Sequence, residues 1–162
     1  MSVKMICGNL LDSNTKYIAH QCNCITTRGA HLSADMFKKF PYADIYCTRT
    51  RQINWRDSRD KPGTIIVKGN GSNKRYVINM LGQIFPGHPK FPDSTADGYI
   101  ARQGFFRKCL IAILQEIKDI DSIAFPYGIG CGAAGGDWNK YFEMIEGFSK
   151  YVDGEVIIYR LK

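Results

Sequence analysis

The stretch FPYGIGCGAAGGDW, residues 125–138, decides the fold of this chain. A short apolar run over 122–125 leads into a loop of small residues, and an amphipathic helix pattern starts near Asp137. Glycines let backbone N–H groups approach an anion closely, and a helix start adds unpaired donors and a positive dipole end. The stretch therefore predicts a site for a phosphate-bearing ligand. The alternative is a flexible connection, although strand-to-helix loops ordinarily have about 2–6 residues.

The glycine spacing does not match an established nucleotide-binding motif. The loop lacks the G-x-x-x-x-G-K-[ST] pattern of a P-loop. Gly130, Gly132 and Gly135 do have G-x-G-x-x-G spacing. That motif should open a βαβ unit with an acidic residue at the end of the next strand, and only a strand pattern over 155–159 follows here. A dinucleotide site of that kind is therefore not expected.

The composition is that of an ordinary soluble globular protein. The chain has 162 residues, of which 44% are hydrophobic and 23% charged, and we expect one domain over 1–162. No apolar segment reaches the roughly 18–20 residues of a membrane span, and the first residues do not resemble a signal peptide. We therefore expect no membrane association. We also expect a monomer, located in the cytoplasm, or in the host cytoplasm if the chain is viral; a nuclear location is also compatible. The net charge of +7 favours anionic partners.

Six cysteines are present, and they lack the paired spacing of a zinc site. Cys131 alone lies in the glycine loop. It is either a nucleophile or, as we favour because no base is near it in sequence, a small residue packing beneath a ligand. Because carboxylates and histidines do not cluster either, we expect neither a metal nor a cofactor.

Strand and helix patterns alternate along the chain. Strands are predicted over 3–7, 17–22, 63–68, 76–81, 122–125 and 155–161, and helices over 30–40, 44–51, 106–117 and from Asp137 to Phe148. The turn over 70–73 predicts a hairpin, and 85–98 is a long loop. This order predicts a three-layer α/β/α sandwich with a mixed sheet.

Three loops that follow predicted strands are rich in small polar residues and glycine. They cover 8–13, 23–29 and 127–136. Ligands of such sheets bind beyond the carboxyl ends of the strands. We therefore expect one pocket lined by all three loops.

These loops carry motifs that resemble a known family. The motifs are GNLL at 8–11, HQCNC at 20–24 followed by TRGA at 27–30, and the stretch 126–138. The chain resembles the macrodomains, which are ADP-ribose-binding modules, over essentially its whole length. The closest resemblance is to the branch that contains ADP-ribose 1″-phosphate phosphatase and terminal ADP-ribose glycohydrolase, and to viral Appr-1″-p processing proteins.

This resemblance implies ADP-ribose or ADP-ribose 1″-phosphate as the ligand, and phosphate release from the latter as the activity. The alternatives are removal of ADP-ribose from modified macromolecules and binding without turnover. The sequence departs from the glycohydrolase at Ala134, where that enzyme has Asp, and has no match for its catalytic Lys around 76–82. It also has only Gly29 where the family usually has three consecutive glycines.

The resemblance implies roles for particular residues. Backbone groups of Asn9 and Leu10 would meet the adenosine, and Asn23 would bind the distal ribose, unless Asn23 only caps its loop. The diphosphate would lie between two loops, formed by Arg28, Gly29 and Ala30 and by Ile129, Gly130, Cys131, Gly132, Ala133 and Ala134.

Phosphate release requires a group that transfers protons. His20 is the first candidate, because imidazole titrates near neutral pH and His20 matches a strand-end histidine of the phosphatase. The alternative is a buried histidine that orients the loop. Asp137 is the second candidate, although we favour an N-capping role for it. His88 is the third, although an exposed loop side chain is the expectation we favour.

The segment 49–61 is basic, with Arg49, Arg51, Arg56, Arg59 and Lys61 around Trp55. It either contacts a nucleic acid backbone or, as we favour, forms a solvated face paired with Asp57 and Asp60.

Overall fold

Buried apolar runs form the centre of a six-stranded mixed sheet in the computed structural model, which describes residues 3–69 and 75–161. The strands are β1 (Lys4–Cys7), β2 (Tyr17–Cys22), β3 (Ile65–Lys68), β4 (Tyr76–Leu81), β5 (Ser122–Pro126) and β6 (Glu155–Arg160). The helices are α1 (His31–Lys39), α2 (Tyr99–Glu116) and α3 (Trp138–Ser149), with 3-10 turns at Leu10–Asp12, Pro41–Ala43 and Trp55–Asp57. The predicted strands are confirmed to within two residues at each end.

The strand order is β1-β6-β5-β2-β4-β3. All neighbours pair in parallel except β3, which runs antiparallel to β4. Strands buried on both faces read as continuous apolar runs in parallel sheets, and β2 and β4 are buried along nearly their whole length. The antiparallel pair confirms the predicted hairpin. Its turn at 70–73 lies outside the described residues.

Two apolar cores cover the two faces of the sheet. On one face, α2 and α3 pack against the strands through residues such as Phe106, Ile113 and Tyr141. On the other face, α1 packs through Met36 and Phe37. The helices thus form two layers around the sheet, and the predicted α/β/α sandwich is confirmed.

The sheet brings three loops to one edge. Because β2, β4 and β5 are neighbours and parallel, the segments that follow Cys22, Leu81 and Pro126 leave the sheet on the same side. The loop after β1 is set apart, because β6 lies between β1 and β5. Its 3-10 turn instead places Leu10 in the core beneath α1.

The predicted helix over 44–51 does not form. The Asp44 side chain accepts hydrogen bonds from the N–H groups of Tyr46 at 2.9 Å and Cys47 at 3.1 Å. These bonds have the geometry of a helix cap, but the N–H of Arg49 bonds the carbonyl of Tyr46, and Arg59 donates to the carbonyls of Ile45 and Thr48. The chain therefore turns once and does not continue as a helix.

Within the described ranges, no helix is long and apolar enough to cross a bilayer.

Candidate functional site

A cleft of about 440 Å³ lies at the edge of the sheet where β2, β4 and β5 end. Its walls come from the loop after β2, the glycine loop after β5, a short segment of the loop after β4 and the first turn of α1. The side chains and backbone that line it are those of Gln21, Asn23, Thr26, Arg28, Ala30, His31, Leu32, Ser33, Tyr46, Gln83, Pro86, Gly87 and the run 126–134.

The glycine loop presents a row of free backbone donors. The N–H groups of Gly130, Gly132, Ala133 and Ala134 have no acceptor among the residues that the structure describes. Gly130 has a φ of 75°, which only glycine adopts without strain. Successive free N–H groups in such a turn form a concave binding site for an anion.

The first turn of α1 faces the same cleft. Its N-cap, Ala30, makes no side-chain capping bond, and the N–H groups of His31 and Leu32 have no acceptor in the described part of the chain. His31 has a φ of 53°, which is costly for a residue with a Cβ. A glycine at this position would avoid that cost. Exposed Arg28 adds a positive charge beside these donors.

Asn23 lines the cleft and also holds its own loop. Its side-chain oxygen accepts hydrogen bonds from the N–H of Ile25 at 3.0 Å, and from the N–H and hydroxyl of Thr26 at 2.9 and 3.0 Å. The loop-capping role considered in the sequence analysis therefore exists. The amide nitrogen is the part of this side chain that remains to donate to a ligand.

Arg49 supports the Asn23 loop from behind, and sequence reasoning missed this. The guanidinium donates to the backbone oxygens of Asn23 at 2.7 Å and Thr26 at 3.0 Å, and forms a buried ion pair of 2.7 Å with Asp60. It also stacks on the ring of Tyr46, whose hydroxyl accepts from the Asn23 N–H at 2.8 Å. The expectation of a solvated basic face is therefore wrong for Arg49 and Asp60, although Arg51, Arg56, Arg59 and Lys61 are exposed.

A second buried ion pair holds the opposite wall of the cleft. Arg102 of α2 pairs with Asp97 at 2.8 Å, and both side chains are nearly inaccessible. Arg102 also donates to the carbonyls of Gly87 at 2.6 Å and Ala134 at 3.3 Å, so it joins the long loop after β4 to the glycine loop. No sequence pattern distinguishes this arginine from an exposed one on the same helix.

A chain of amides runs along the floor of the cleft. Gln83 donates to the carbonyl of Phe85 at 2.8 Å, which leaves its side-chain oxygen to accept from Gln21 at 2.7 Å. The remaining side-chain oxygen of Gln21 is buried and has no hydrogen-bond partner. A buried acceptor of this kind generally binds an ordered water or a ligand donor.

His20 lies beneath the cleft and does not line it. Its ring is fully buried and its Nε2 is 2.6 Å from the side-chain oxygen of Asn79. The Asn79 amide nitrogen donates to the carbonyls of Ala43 and Ile66, so its oxygen must accept and Nε2 must donate. Nδ1 then carries a lone pair and lies 3.5 Å from the hydroxyl of Ser33. An enclosed ring of this kind does not contact a bound ligand directly.

Acid should destabilise the protein through His20. Burial lowers the pKa of His20 from 6.5 to about 4, and the hydrogen bond to Asn79 opposes this only in part. Between these pH values the unfolded chain binds the proton and the folded chain does not. The free energy of unfolding should therefore fall as the pH drops from 6.5 to 4, by about 3 kcal/mol, with no contribution above this window. Urea unfolding at pH 7 and 4.5 measures it; an equal fall in His20→Gln would contradict the assignment.

The other two predicted catalytic side chains also lie outside the lining of the cleft. Asp137 is exposed and caps α3, where its side chain accepts from the Asn139 N–H at 3.1 Å. His88 is exposed, hydrogen-bonds the Tyr99 hydroxyl at 3.2 Å, and packs so closely on Gly135 that a Cβ there would collide with its ring. Their catalytic roles stay predictions that these positions do not favour.

Cys131 lines the cleft but is not prepared to act as a nucleophile. Burial, and then the charge of Asp137, raises the pKa of its thiol to about 12. A thiol that stays protonated at neutral pH is a weak nucleophile.

The predicted ligand-binding residues divide into two groups. Asn9, Leu10 and Gly29 do not line the cleft. The residues that do are Asn23, Arg28, Ala30, Ile129, Gly130, Cys131, Gly132, Ala133 and Ala134. In the parts of the chain that the structure describes, no three His, Cys, Asp or Glu residues form a group that could hold a metal ion.

The fold is similar to that of solved macrodomains. The macrodomain of Thermus aquaticus DarG is similar with a TM-score of 0.68 at 19% identity, over 98% of this chain and 97% of that one. The macrodomain of Mycobacterium tuberculosis DarG gives 0.69 at 21% identity, over 97% and 96%. The Trypanosoma brucei macrodomain in complex with ADP has a TM-score of 0.64 at 14% identity, over 99% of this chain and 64% of that one. At these identities the similarity shows the fold alone.

A curated relative gives the family. No protein-family model matches the chain. The chain is 31% identical over 159 residues to an uncharacterised 17.5 kDa protein from the tk-vs intergenic region of Enterobacteria phage T4, over 94% of each chain. It therefore belongs to the same family as this phage protein.

Proposed function

We propose that the cleft binds ADP-ribose. The observation that carries this proposal is the row of free N–H groups in the glycine loop, opposite those at the first turn of α1. Two sets of backbone donors facing one cleft suit a diphosphate, because each oxygen can accept a charge-assisted hydrogen bond. The net charge of +7 also favours an anionic ligand.

Side chains at the cleft suit the remainder of this ligand. The amide nitrogen of Asn23 and the unpartnered oxygen of Gln21 are a donor and an acceptor for ribose hydroxyls. Tyr127 lines the cleft with part of its ring exposed, between Arg160 and Trp138, and offers an apolar edge to the base. The similarity to a macrodomain in complex with ADP supports the same assignment.

Calorimetric titration of the purified protein with ADP-ribose tests the proposal. We expect saturable one-to-one binding that ADP reproduces more weakly, because ADP lacks the distal ribose. Absence of heat at millimolar ADP-ribose would refute the proposed function.

Hydrolysis of ADP-ribose 1″-phosphate is a second candidate. Arg28 and the free N–H groups of His31 and Leu32 lie together at the cleft, and they would neutralise a phosphate ester on the distal ribose. Phosphate release, measured beside the titration, tests this. Binding of ADP-ribose without phosphate release would favour a protein that binds ADP-ribose and does not turn it over. Release of labelled ADP-ribose from ADP-ribosylated protein would favour an enzyme that removes the modification.

Replacing Arg49 with lysine should weaken ADP-ribose about tenfold and ADP less than twofold. A lysine cannot hold two carbonyls and Asp60 at once, so the Asn23 loop loses its support while the diphosphate donors remain. Calorimetry with both nucleotides measures the difference, and Arg51→Lys, an exposed change in the same segment, is the control. Equal losses for the two nucleotides would show that Arg49 acts on the whole fold.

A further inference from the structure

We infer that Ser33 is a catalytic nucleophile, with His20 as its base and Asn79 as the residue that orients His20. This inference rests on the proposed function, since it concerns a phosphate ester carried by ADP-ribose in the same cleft. It assigns a role to a serine that no sequence motif singles out, and it gives the buried His20 a route to the ligand.

The three side chains form a connected row. Ser33 lines the cleft from the first turn of α1, and its hydroxyl is 3.5 Å from Nδ1 of His20. On the far side of the ring, Nε2 donates to Asn79 at 2.6 Å. A nucleophile, a base and a group that fixes the tautomer of the base are the parts of an activated serine, and the first contact is commonly long before a substrate binds.

The surroundings fix the ring in this orientation. Asn79 is itself held by the carbonyls of Ala43 and Ile66, and Phe37 packs edge-on against His20 at 5.4 Å between ring centres. The ring therefore cannot exchange its two nitrogens without breaking buried hydrogen bonds. Because Nε2 donates to Asn79, the lone pair of the ring is on Nδ1, which faces the hydroxyl of Ser33.

Donors for the developing charge belong to the two residues that precede Ser33. The N–H groups of His31 and Leu32 are free, and they sit at the positive end of α1. Arg28 is on the same wall of the cleft. A phosphoryl group in front of Ser33 would thus meet a nucleophile, two backbone donors and a cation.

The chemistry is a double displacement with water as the second nucleophile. The Ser33 oxygen forms a bond to phosphorus while the bond from phosphorus to the ribose 1″-oxygen breaks. His20 takes the serine proton, and the leaving oxygen takes a proton from water in the cleft, which gives ADP-ribose. A second water then attacks the phosphorus of the phosphoserine and loses a proton to solvent, His20 returns its proton to the serine oxygen, and inorganic phosphate leaves.

The test uses ADP-ribose 1″-phosphate with the wild type and three variants. Ser33→Ala should lower phosphate release at least a hundredfold and change the affinity for ADP-ribose less than threefold. Ser33→Thr keeps the hydroxyl and should restore part of the activity. Ser122→Ala, which removes a hydroxyl at the start of β5, is the matched control and should behave as the wild type.

A second measurement looks for the intermediate. Acid quenching of the wild type during turnover, followed by peptide mass spectrometry, should find a phosphoryl group on Ser33. Phosphate release that persists in Ser33→Ala would overturn the inference. A wild type that binds ADP-ribose but releases no phosphate would also overturn it, while the proposal that the cleft binds ADP-ribose would stand. A wild type that does not bind ADP-ribose at all would refute both.

Discussion

Gly130→Ala is expected to lower the affinity for ADP-ribose more than a thousandfold. Gly130 has a φ of 75°, and a Cβ there would lie 2.5 Å from a ring carbon of Tyr141 and 2.9 Å from the side-chain oxygen of Gln21. Tyr141 is enclosed in the core, so the loop and not the ring must move.

This movement displaces the free N–H groups that define the proposed diphosphate site. Each hydrogen bond to a charged group contributes about 1.5–3 kcal/mol, so the loss of two accounts for the expected change. Titration with ADP-ribose measures it, with thermal unfolding as the check on folding.

Gly128→Ala is the matched control for this variant. Gly128 has the same φ of 75°, but its Cβ would meet no atom within 4 Å. The Gly128→Ala variant therefore has the strain of a positive φ without the collision, and its affinity for ADP-ribose should fall far less than that of Gly130→Ala. Wild-type affinity in Gly130→Ala would contradict the assignment of the loop.

Asp97→Ala is expected to lower the free energy of unfolding by about 3–5 kcal/mol, because it leaves a buried guanidinium without its partner. Arg102 and Asp97 are only 2% and 8% exposed at the side chain. Asp97 also accepts from the N–H groups of Ile84 at 2.7 Å and Phe85 at 3.0 Å, so its removal frees two further buried or half-buried donors. Urea unfolding at pH 7 gives the value.

A surface ion pair of similar length provides the control for Asp97. Lys4 and Glu155 are 2.7 Å apart, but their side chains are 62% and 48% exposed. Glu155→Ala should change the free energy of unfolding by less than about 1 kcal/mol. Equal effects of the two substitutions would show that burial of the Arg102–Asp97 pair does not decide its contribution.

The centre of the sheet was predictable because its strands β2, β4 and β5 are buried along most of their length. The run over 17–22 is apolar except at His20 and Gln21, and it matches β2 at both ends. A short, largely apolar run between polar residues is typical of a buried strand. Asp137 was predictable as a helix cap for a similar reason, because its role depends only on residues beside it in sequence. The helix expected over 44–51 did not form because Arg59 binds the carbonyls of Ile45 and Thr48, a contact that the periodicity of the segment does not show.

The candidate site was predictable only in its backbone. The spacing of its glycines indicated the loop over 127–136, because backbone positions with a positive φ are usually occupied by glycine. The sequence gives no comparable signal for Arg49, Arg102 and Ser33, because the roles of these residues depend on burial and on partners that the sheet brings close. The side chains of β2 alternate between the two faces of the sheet, but the sequence does not show whether His20 faces the cleft or the core. The order of the strands decided the place of Asn9 and Leu10, and one sequence does not reveal that β6 separates β1 from β5.

The measurement that tests the central claim most directly is calorimetric titration of the wild type and Gly130→Ala with ADP-ribose. The arrangement of free N–H groups predicts one-to-one binding by the wild type and none by a folded Gly130→Ala. A wild type that gives no heat, or a variant that binds as well as the wild type, would contradict the claim that this cleft is an ADP-ribose site.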